Sequence, residues 1–313
     1  MINIDFDAVH RLATVGSLVE PLRRAFSSDA VTPDRTHYAL EPGNTSRTLL
    51  LMPAWQPQGA IGIKIVTVFP GNAVKNIPTV NAAYLLLSWQ TGEPLASIDG
   101  RALTLLRTAA VSALAADLLA PKNPAVLLMV GTGSLSRYLI EGHLAVRRYQ
   151  SVLVWGRDPH KAARVAQDLQ QRGWPVSVAA DLETAARSAD VISCATLAAS
   201  PLIKGAWLKP HAHLDLVGSF APDMREADDD CMRGALIVID TPAGLQSSGD
   251  LSEPLAAAAM AAHEVVVLGD PALERRALQP SDAAQSGRTV FKSVGVALAD
   301  LAAAEAIYQR QTA

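Results

Sequence analysis

"AVLLMVGTGSLSRYLIEG", residues 125–142, decides how this chain folds. An apolar run ends at a glycine, turns through Gly131-Thr132-Gly133-Ser134 and restarts as a helical segment. Strand, glycine turn and helix in that order have two readings. One is a tight strand-to-helix turn. The other is a bed for a pyrophosphate, in which Gly131 permits the sharp turn and Gly133 lets backbone N–H groups approach the anion at the positive end of the helix.

The surroundings favour the second reading. From residue 125 the chain alternates. "AVLLMV", "SVLVWG", "VSVAA", "VISCAT", "HLDLVG" and "ALIVID" read as strands, with helical stretches such as 134–148 and 158–172 between them. This βαβ rhythm predicts a parallel sheet with helices on both faces, the setting in which a glycine loop binds a dinucleotide. The third glycine of that fingerprint is replaced by Ser136, a residue small enough for close helix–strand packing. The second strand ends "VLVWGRDPHKA". A carboxylate at this tip usually accepts bonds from the ribose hydroxyls of NAD. Here Arg157 stands at the tip and Lys161 just beyond, both suited to a 2′-phosphate, so NADPH is favoured over NADH. Asp158 either serves a hydroxyl or caps the helix that opens at Pro159.

Upstream the pattern differs. Residues 5–27 have helical periodicity in Val9, Leu12, Leu18, Val19, Leu22 and Phe26. Between 48 and 100, "TLLLMPAW", "AIGIKIVTVF", "VNAAYLLLSW" and "PLASIDG" read as strands, with "QTGEP" as a turn. A helix over 101–120 is stopped by "APKNP", which marks a domain boundary. After about 245 the chain reads as helical again, ending in "VFKSVGVALADLAAAEAIYQR".

Half of the 313 residues are hydrophobic, enough for two cores, and the net charge is −3. No Lys/Arg block stands out, so neither nucleic acid nor a membrane surface is an expected partner. The N-terminus has no signal-like apolar region, and no window holds eighteen uninterrupted apolar residues. A cytoplasmic protein is expected. Cys194 and Cys231 have no metal-ligand spacing, so no metal is expected.

Three cations stand in apolar or strand-like settings: Arg47 before "TLLLMP", Lys64 within "AIGIKIVTVF" and Arg107 within "LTLLRTAAVSALAADLL". Taken singly, Lys64 reads as an outward strand residue between Ile63 and Ile65, and Arg107 as a surface arginine with a buried stem. Beside a nicotinamide domain, two arginines and a lysine make a cradle for a small carboxylate.

At these residues the chain resembles the ornithine cyclodeaminase/mu-crystallin family. The likeness runs through "GIKIVTVFPGN", "TGEPLASIDGRALTLLRTAAVSALAADLLA", "GTGSLS", "VWGRDPHKA", "VGSFAPDMREAD" and "TVFKSVGVALADLAAAEAIY". It implies an α/β fold: a Rossmann-type, doubly wound parallel sheet over 121–289, and a second α/β domain for substrate binding and dimerisation from 1–120 and 290–313. It also implies a homodimer. Arg47 and Arg107 would hold a substrate carboxylate, and Lys64 would work beside the reacting carbon. The nucleotide would lie along Gly131, Gly133, Ser134, Leu135, Arg157, Lys161, Thr196, Leu197 and Val217, with Ser293 near the nicotinamide. Cyclodeaminases carry an aspartate that manages the amine where Phe220 stands here, and a phenyl ring exchanges no proton. Asp223, three residues on, does not replace it. The resemblance therefore points to the branch that reduces small cyclic ketimine acids with NADPH or NADH, chiefly Δ1-pyrroline-2-carboxylate to L-proline, with Δ1-piperideine-2-carboxylate to pipecolate second. An amino-acid dehydrogenase, an altered cyclodeaminase and a non-catalytic mu-crystallin-like nucleotide and ligand binder are the alternatives.

Overall fold

A computed structural model describes residues 1–41, 44–75, 77–278 and 287–313. In chain order its elements begin β1 (Ile2–Ile4), α1 (Phe6–Leu12), α2 (Val15–Phe26), β2 (Thr36–Glu41), β3 (Asn44–Trp55) and β4 (Ala60–Val68). β5 (Val80–Ser88), β6 (Pro94–Asp99) and α3 (Gly100–Leu119) follow. Next come β7 (Val126–Val130), α4 (Ser136–Val146), β8 (Ser151–Trp155), α5 (Pro159–Gln170), β9 (Val176–Val178) and α6 (Leu182–Ser188). β10 (Val191–Cys194), β11 (His213–Leu216), α7 (Asp229–Met232), β12 (Leu236–Ile239), α8 (Gly244–Ser247) and α9 (Gly249–Ala256) continue the chain. The last elements are β13 (Val266–Val267), α10 (Pro271–Leu278), β14 (Thr289–Lys292) and α11 (Ala297–Thr312).

These elements form two compact units, one from Met1–Thr108 with Val296–Ala313, the other from Ala109–Gly295. The division falls inside α3, earlier than the Pro/Asn stretch suggested. The return to the first unit falls at Val296, because β14 is hydrogen-bonded inside the second sheet instead of belonging with the terminal helix.

The first unit holds a six-stranded sheet in the order β1-β6-β5-β4-β3-β2, antiparallel except where β1 runs parallel to β6. Alternation along β4 buries Ala60, Gly62 and Lys64 and leaves Ile61, Ile63 and Ile65 part-covered or exposed. The buried series faces α11, which packs on β3, β4 and β5. Gly62 is required there, since a Cβ on it would lie 1.9 Å from the Tyr84 hydroxyl. The helix expected over 5–27 is two helices, because Ala13 and Thr14 are extended and Thr14 starts α2 with a capping box to Ser17. β1 and β2 were not expected. Residues 289–292 form a strand where the sequence reads as helix, and the helical reading after 245 also crosses 279–286, outside the described residues.

The second unit is the doubly wound sheet that the alternation predicts. Its eight strands are all parallel, in the order β13-β12-β14-β11-β10-β7-β8-β9. The strand order reverses between β7 and β10, so a crevice opens at their carboxyl ends. α3 is apolar and long enough to cross a membrane by composition alone, but 89% of that window is buried inside the protein.

Candidate functional site

In the second unit the β7–α4 loop builds one wall of a cleft of about 810 Å³. Gly131 adopts φ +120°, and a Cβ there would sit 2.5 Å from the Ala195 carbonyl, so only glycine fits. Its N–H donates to the Trp155 carbonyl at 2.9 Å, joining the tips of β7 and β8. At Gly133 a Cβ would meet nothing within 4 Å, which leaves the backbone open to a bulky anion. Ser136, in place of the third glycine, is fully buried and its Oγ donates back to the Gly131 carbonyl at 2.9 Å. The substitution thus ties the loop to the helix that it opens. A dinucleotide fits these residues: a tight turn, an unobstructed backbone at a helix N-terminus, and a cleft of suitable volume.

Gly131, Gly133, Arg157, Lys161, Thr196 and Leu197 all line this cleft. Ser134 lines a smaller adjoining pocket with Arg137, and Leu135 is the residue before α4. Val217 and Ser293 follow β11 and β14, at the same carboxyl end of the sheet but outside the cleft lining. Ser293 Oγ donates to Asp240 Oδ2 at 2.8 Å. Asp158 caps α5, accepting from the N–H groups of His160 and Lys161, so its carboxylate serves the helix.

Sequence reasoning gave no role to the group that braces the crevice. Glu226 accepts from the backbone and hydroxyl of Thr196 at 2.7 and 2.8 Å, and from the Gly218 N–H at 2.7 Å. It thereby clamps the tips of β10 and β11. Burial pushes its carboxyl up to about 7, against the nearby positive charge of Lys292. Lys292 itself donates to Asp250 at 3.1 Å, and the Asp250 carboxylate also accepts from the Glu226 and Ala227 N–H groups. Lys292 at the end of the apolar strand β14 was the available signal; Glu226 stands among charged loop residues, where nothing local marks it. Phe220 is 58% exposed in the loop after β11. Among the described residues no group of His, Cys, Asp and Glu side chains could hold a metal, and both cysteines are buried and free.

The first unit contains a buried ionic cluster. Lys64 projects from the helix-covered face of β4 and is 3% exposed. This corrects the outward orientation that Ile63 and Ile65 suggest. Its Nζ donates to Asp300 Oδ2 at 2.6 Å. Arg107, on α3, is likewise buried, and its Nε donates to Asp300 Oδ1 at 2.9 Å. Asp300 lies in the first turn of α11, where the helix dipole favours an anion, and has no exposed surface. Tyr84 is the register partner of Lys64 across β4 and β5; its buried hydroxyl has no hydrogen-bond partner among the described residues. Burial pushes that phenol well above its usual range, and the Asp300 and Glu305 charges add to the shift.

Burial lowers the Lys64 amine to about 8. Asp300 opposes this, while Arg107 and, more weakly, Arg35 reinforce it. The main cause of the depression is desolvation. The second guanidinium involved is Arg35, a residue the sequence reading passed over. Arg47 is not brought into this cluster. Its side chain is 55% exposed, pairs with Glu41 at 2.7 Å and lies over the Phe69 ring. Strand alternation puts it in the series of Leu49 and Leu51, opposite Lys64.

Comparison with known proteins agrees with both units. The chain is 36% identical over 315 residues to a Δ1-pyrroline-2-carboxylate reductase of Colwellia psychrerythraea, covering 98% of each chain. The solved structure of Thermococcus litoralis Δ1-pyrroline-2-carboxylate reductase in complex with NADH and L-proline superposes with a TM-score of 0.90. That match has 27% identity and covers 100% of this chain and 98% of that one. An archaeal alanine dehydrogenase dimer with bound NAD gives a TM-score of 0.89 at 27% identity, covering 100% and 96%. The model of the ornithine cyclodeaminase/mu-crystallin family matches residues 4–313, and the chain belongs to that family.

Proposed function

We propose that the protein is an NAD(P)H-dependent reductase of small cyclic ketimine acids. Its chief reaction is Δ1-pyrroline-2-carboxylate to L-proline, with Δ1-piperideine-2-carboxylate to L-pipecolate second. The observation that carries this reading is the buried cluster of Lys64, Arg107 and Asp300. Two cations share one carboxylate, so the cluster holds an excess positive charge away from water and is completed by a small anion. The Colwellia and Thermococcus relatives support the choice of cyclic imine.

When bound, the nicotinamide supplies hydride to the imine carbon. Arg107 pairs with Asp300 through Nε, which leaves its two terminal nitrogens to grip the substrate carboxylate in a planar fork. The Lys64 ammonium donates a proton to the imine nitrogen, so that C=N gains one hydride and one proton and becomes CH–NH. The Lys64 amine then regains its proton from water. Arg47, paired with Glu41 on the opposite face of the sheet, takes no part in this grip.

The cofactor groups are assigned by position. Gly131, Gly133, Ser134 and Leu135 receive the pyrophosphate at the start of α4. Arg157 and Lys161, on the cleft wall, clasp a 2′-phosphate, which favours NADPH. Thr196, Leu197 and Val217 follow the nucleotide, and Ser293 lies near the nicotinamide. Residues 1–108 and 296–313 serve substrate and dimerisation, and 109–295 the cofactor. The enzyme is a cytoplasmic homodimer, paired through the outer face of the six-stranded sheet. Leu49, Leu51, Ile63, Ile65, Leu85 and Leu87 form an apolar, part-exposed series there.

The archaeal alanine dehydrogenase favours one second reading, reduction of the open-chain imine of a 2-oxo acid and ammonia. NAD(P)H oxidation measured with pyrroline-2-carboxylate, piperideine-2-carboxylate, pyruvate plus ammonia, and ornithine decides between them. The highest kcat/KM falls on the five-membered ring if the proposal holds. Preference for pyruvate plus ammonia moves the protein to the dehydrogenases, and binding without turnover makes it a ligand carrier.

A further inference from the structure

Asp300 touches both cations of the cluster with different oxygens, Oδ2 to Lys64 and Oδ1 to Arg107. It comes from α11, 236 residues along the chain from Lys64, and has no exposed surface. We propose that Asp300 is the positioning residue of the reaction: it fixes the Lys64 amine and the Arg107 fork relative to each other and supplies the negative charge that keeps Lys64 an ammonium. The inference rests on the imine-reductase reading.

The groups facing the Lys64 amine are Asp300 from α11, Arg107 from α3, Arg35 ahead of β2 and the Tyr84 phenol from β5; Glu305, also on α11, acts on Tyr84. Asp300 is the carboxylate bonded to the amine. Without it, Lys64 and Arg107 would be like charges buried side by side. A guanidinium does not give up its proton, so the lysine would. Its amine, already lowered to about 8, would fall further and be neutral at physiological pH. A neutral amine cannot protonate the imine, and Arg107 would lose the anchor that sets its fork.

The test compares the wild type with Asp300→Asn, which keeps the shape and removes the charge, and Asp300→Glu, which keeps the charge and moves it. For Asp300→Asn the alkaline limb of the kcat profile should shift at least one pH unit toward acid. kcat at pH 8 should fall about fivefold or more and largely recover at pH 6, as expected for a change of one unit or more in a proton donor that starts near 8. Its KM for the imine should rise, while the dissociation constant for NADPH stays unchanged. Asp300→Glu should keep the limb near the wild-type position and show mainly a raised KM, which also serves as the test if the asparagine variant does not fold. Competitive acetylation of Lys64 across pH, read by mass spectrometry, titrates the amine without turnover. It therefore tests Asp300 even if the wild type reduces no imine, the outcome that would instead overturn the substrate assignment. A folded Asp300→Asn enzyme with an unmoved limb and an unmoved Lys64 titration overturns the role of Asp300, as does an Asp300→Glu limb displaced like that of the asparagine variant.

Discussion

Lys64 is the residue on which the chemistry turns, and its environment makes a signed prediction. Burial and neighbouring guanidinium groups lower its amine to about 8. The protonated form is the donor, so kcat with the imine should hold on the acid side and fall as pH rises through about 8. A rate that climbs across that interval contradicts the donor role. Arg157 makes a second prediction at this scale. A charge-assisted bond to a 2′-phosphate is worth about 1.5–3 kcal/mol, or roughly ten- to a hundredfold in binding. Arg157→Ala should raise KM for NADPH by about that factor and barely alter KM for NADH. Equal weakening of both cofactors would reduce Arg157 to a stacking partner of the adenine.

At the scale of elements, the β7–α4 loop separates the two uses of glycine. Gly131 is held at positive φ against the Ala195 carbonyl, whereas Gly133 faces open space. Gly131→Ala should therefore lower the melting temperature and cofactor affinity together, by strain and by collision. Gly133→Ala should leave the melting temperature unchanged and weaken NADPH binding about tenfold or more, because the methyl group occupies the approach path of the pyrophosphate. Calorimetric titration and thermal melts on the two variants read both effects, and identical behaviour would remove the distinction. This loop was legible in the sequence because strand, turn and helix signals are local. β1 and β2 were not. β1 is only three residues long, and β2 is exposed along nearly its whole length, so no apolar alternation marks it. β14 was read into the helix that follows because "TVFKSV" abuts an alanine-rich stretch with no turn residue but Gly295 between them.

At the scale of the whole molecule, the facing of Lys64 shows what a sequence withholds. Ile63 and Ile65 flank it, and alternation makes the lysine the outward residue if only one face of the sheet is apolar. Both faces are. One is covered by α11, and the other carries the half-exposed leucines and isoleucines, so the pattern does not say which side is buried. Asp300 belongs to a segment that carries the family likeness, but its role is not legible there for a related reason: nothing local marks one aspartate in an alanine-rich helix as the partner of a lysine so distant in sequence. The family likeness singles out Lys64 and Arg107, but only the fold shows that Asp300 joins them. The second apolar face carries its own prediction. Leu51→Glu puts a charge at its centre opposite Ile65 and should convert a dimer to a monomer in light scattering. A wild-type chain that is monomeric at micromolar concentration would contradict the pairing. The central claim is that Lys64 delivers a proton to a cyclic imine as hydride reaches its carbon. The direct measurement is NADPH oxidation with Δ1-pyrroline-2-carboxylate by the wild type and by Lys64→Met, with L-proline assayed as product. The account predicts L-proline formed one-for-one with NADPH consumed, and a Lys64→Met enzyme that folds and binds NADPH but turns over about a hundredfold more slowly or worse. Near-normal turnover by Lys64→Met would contradict it.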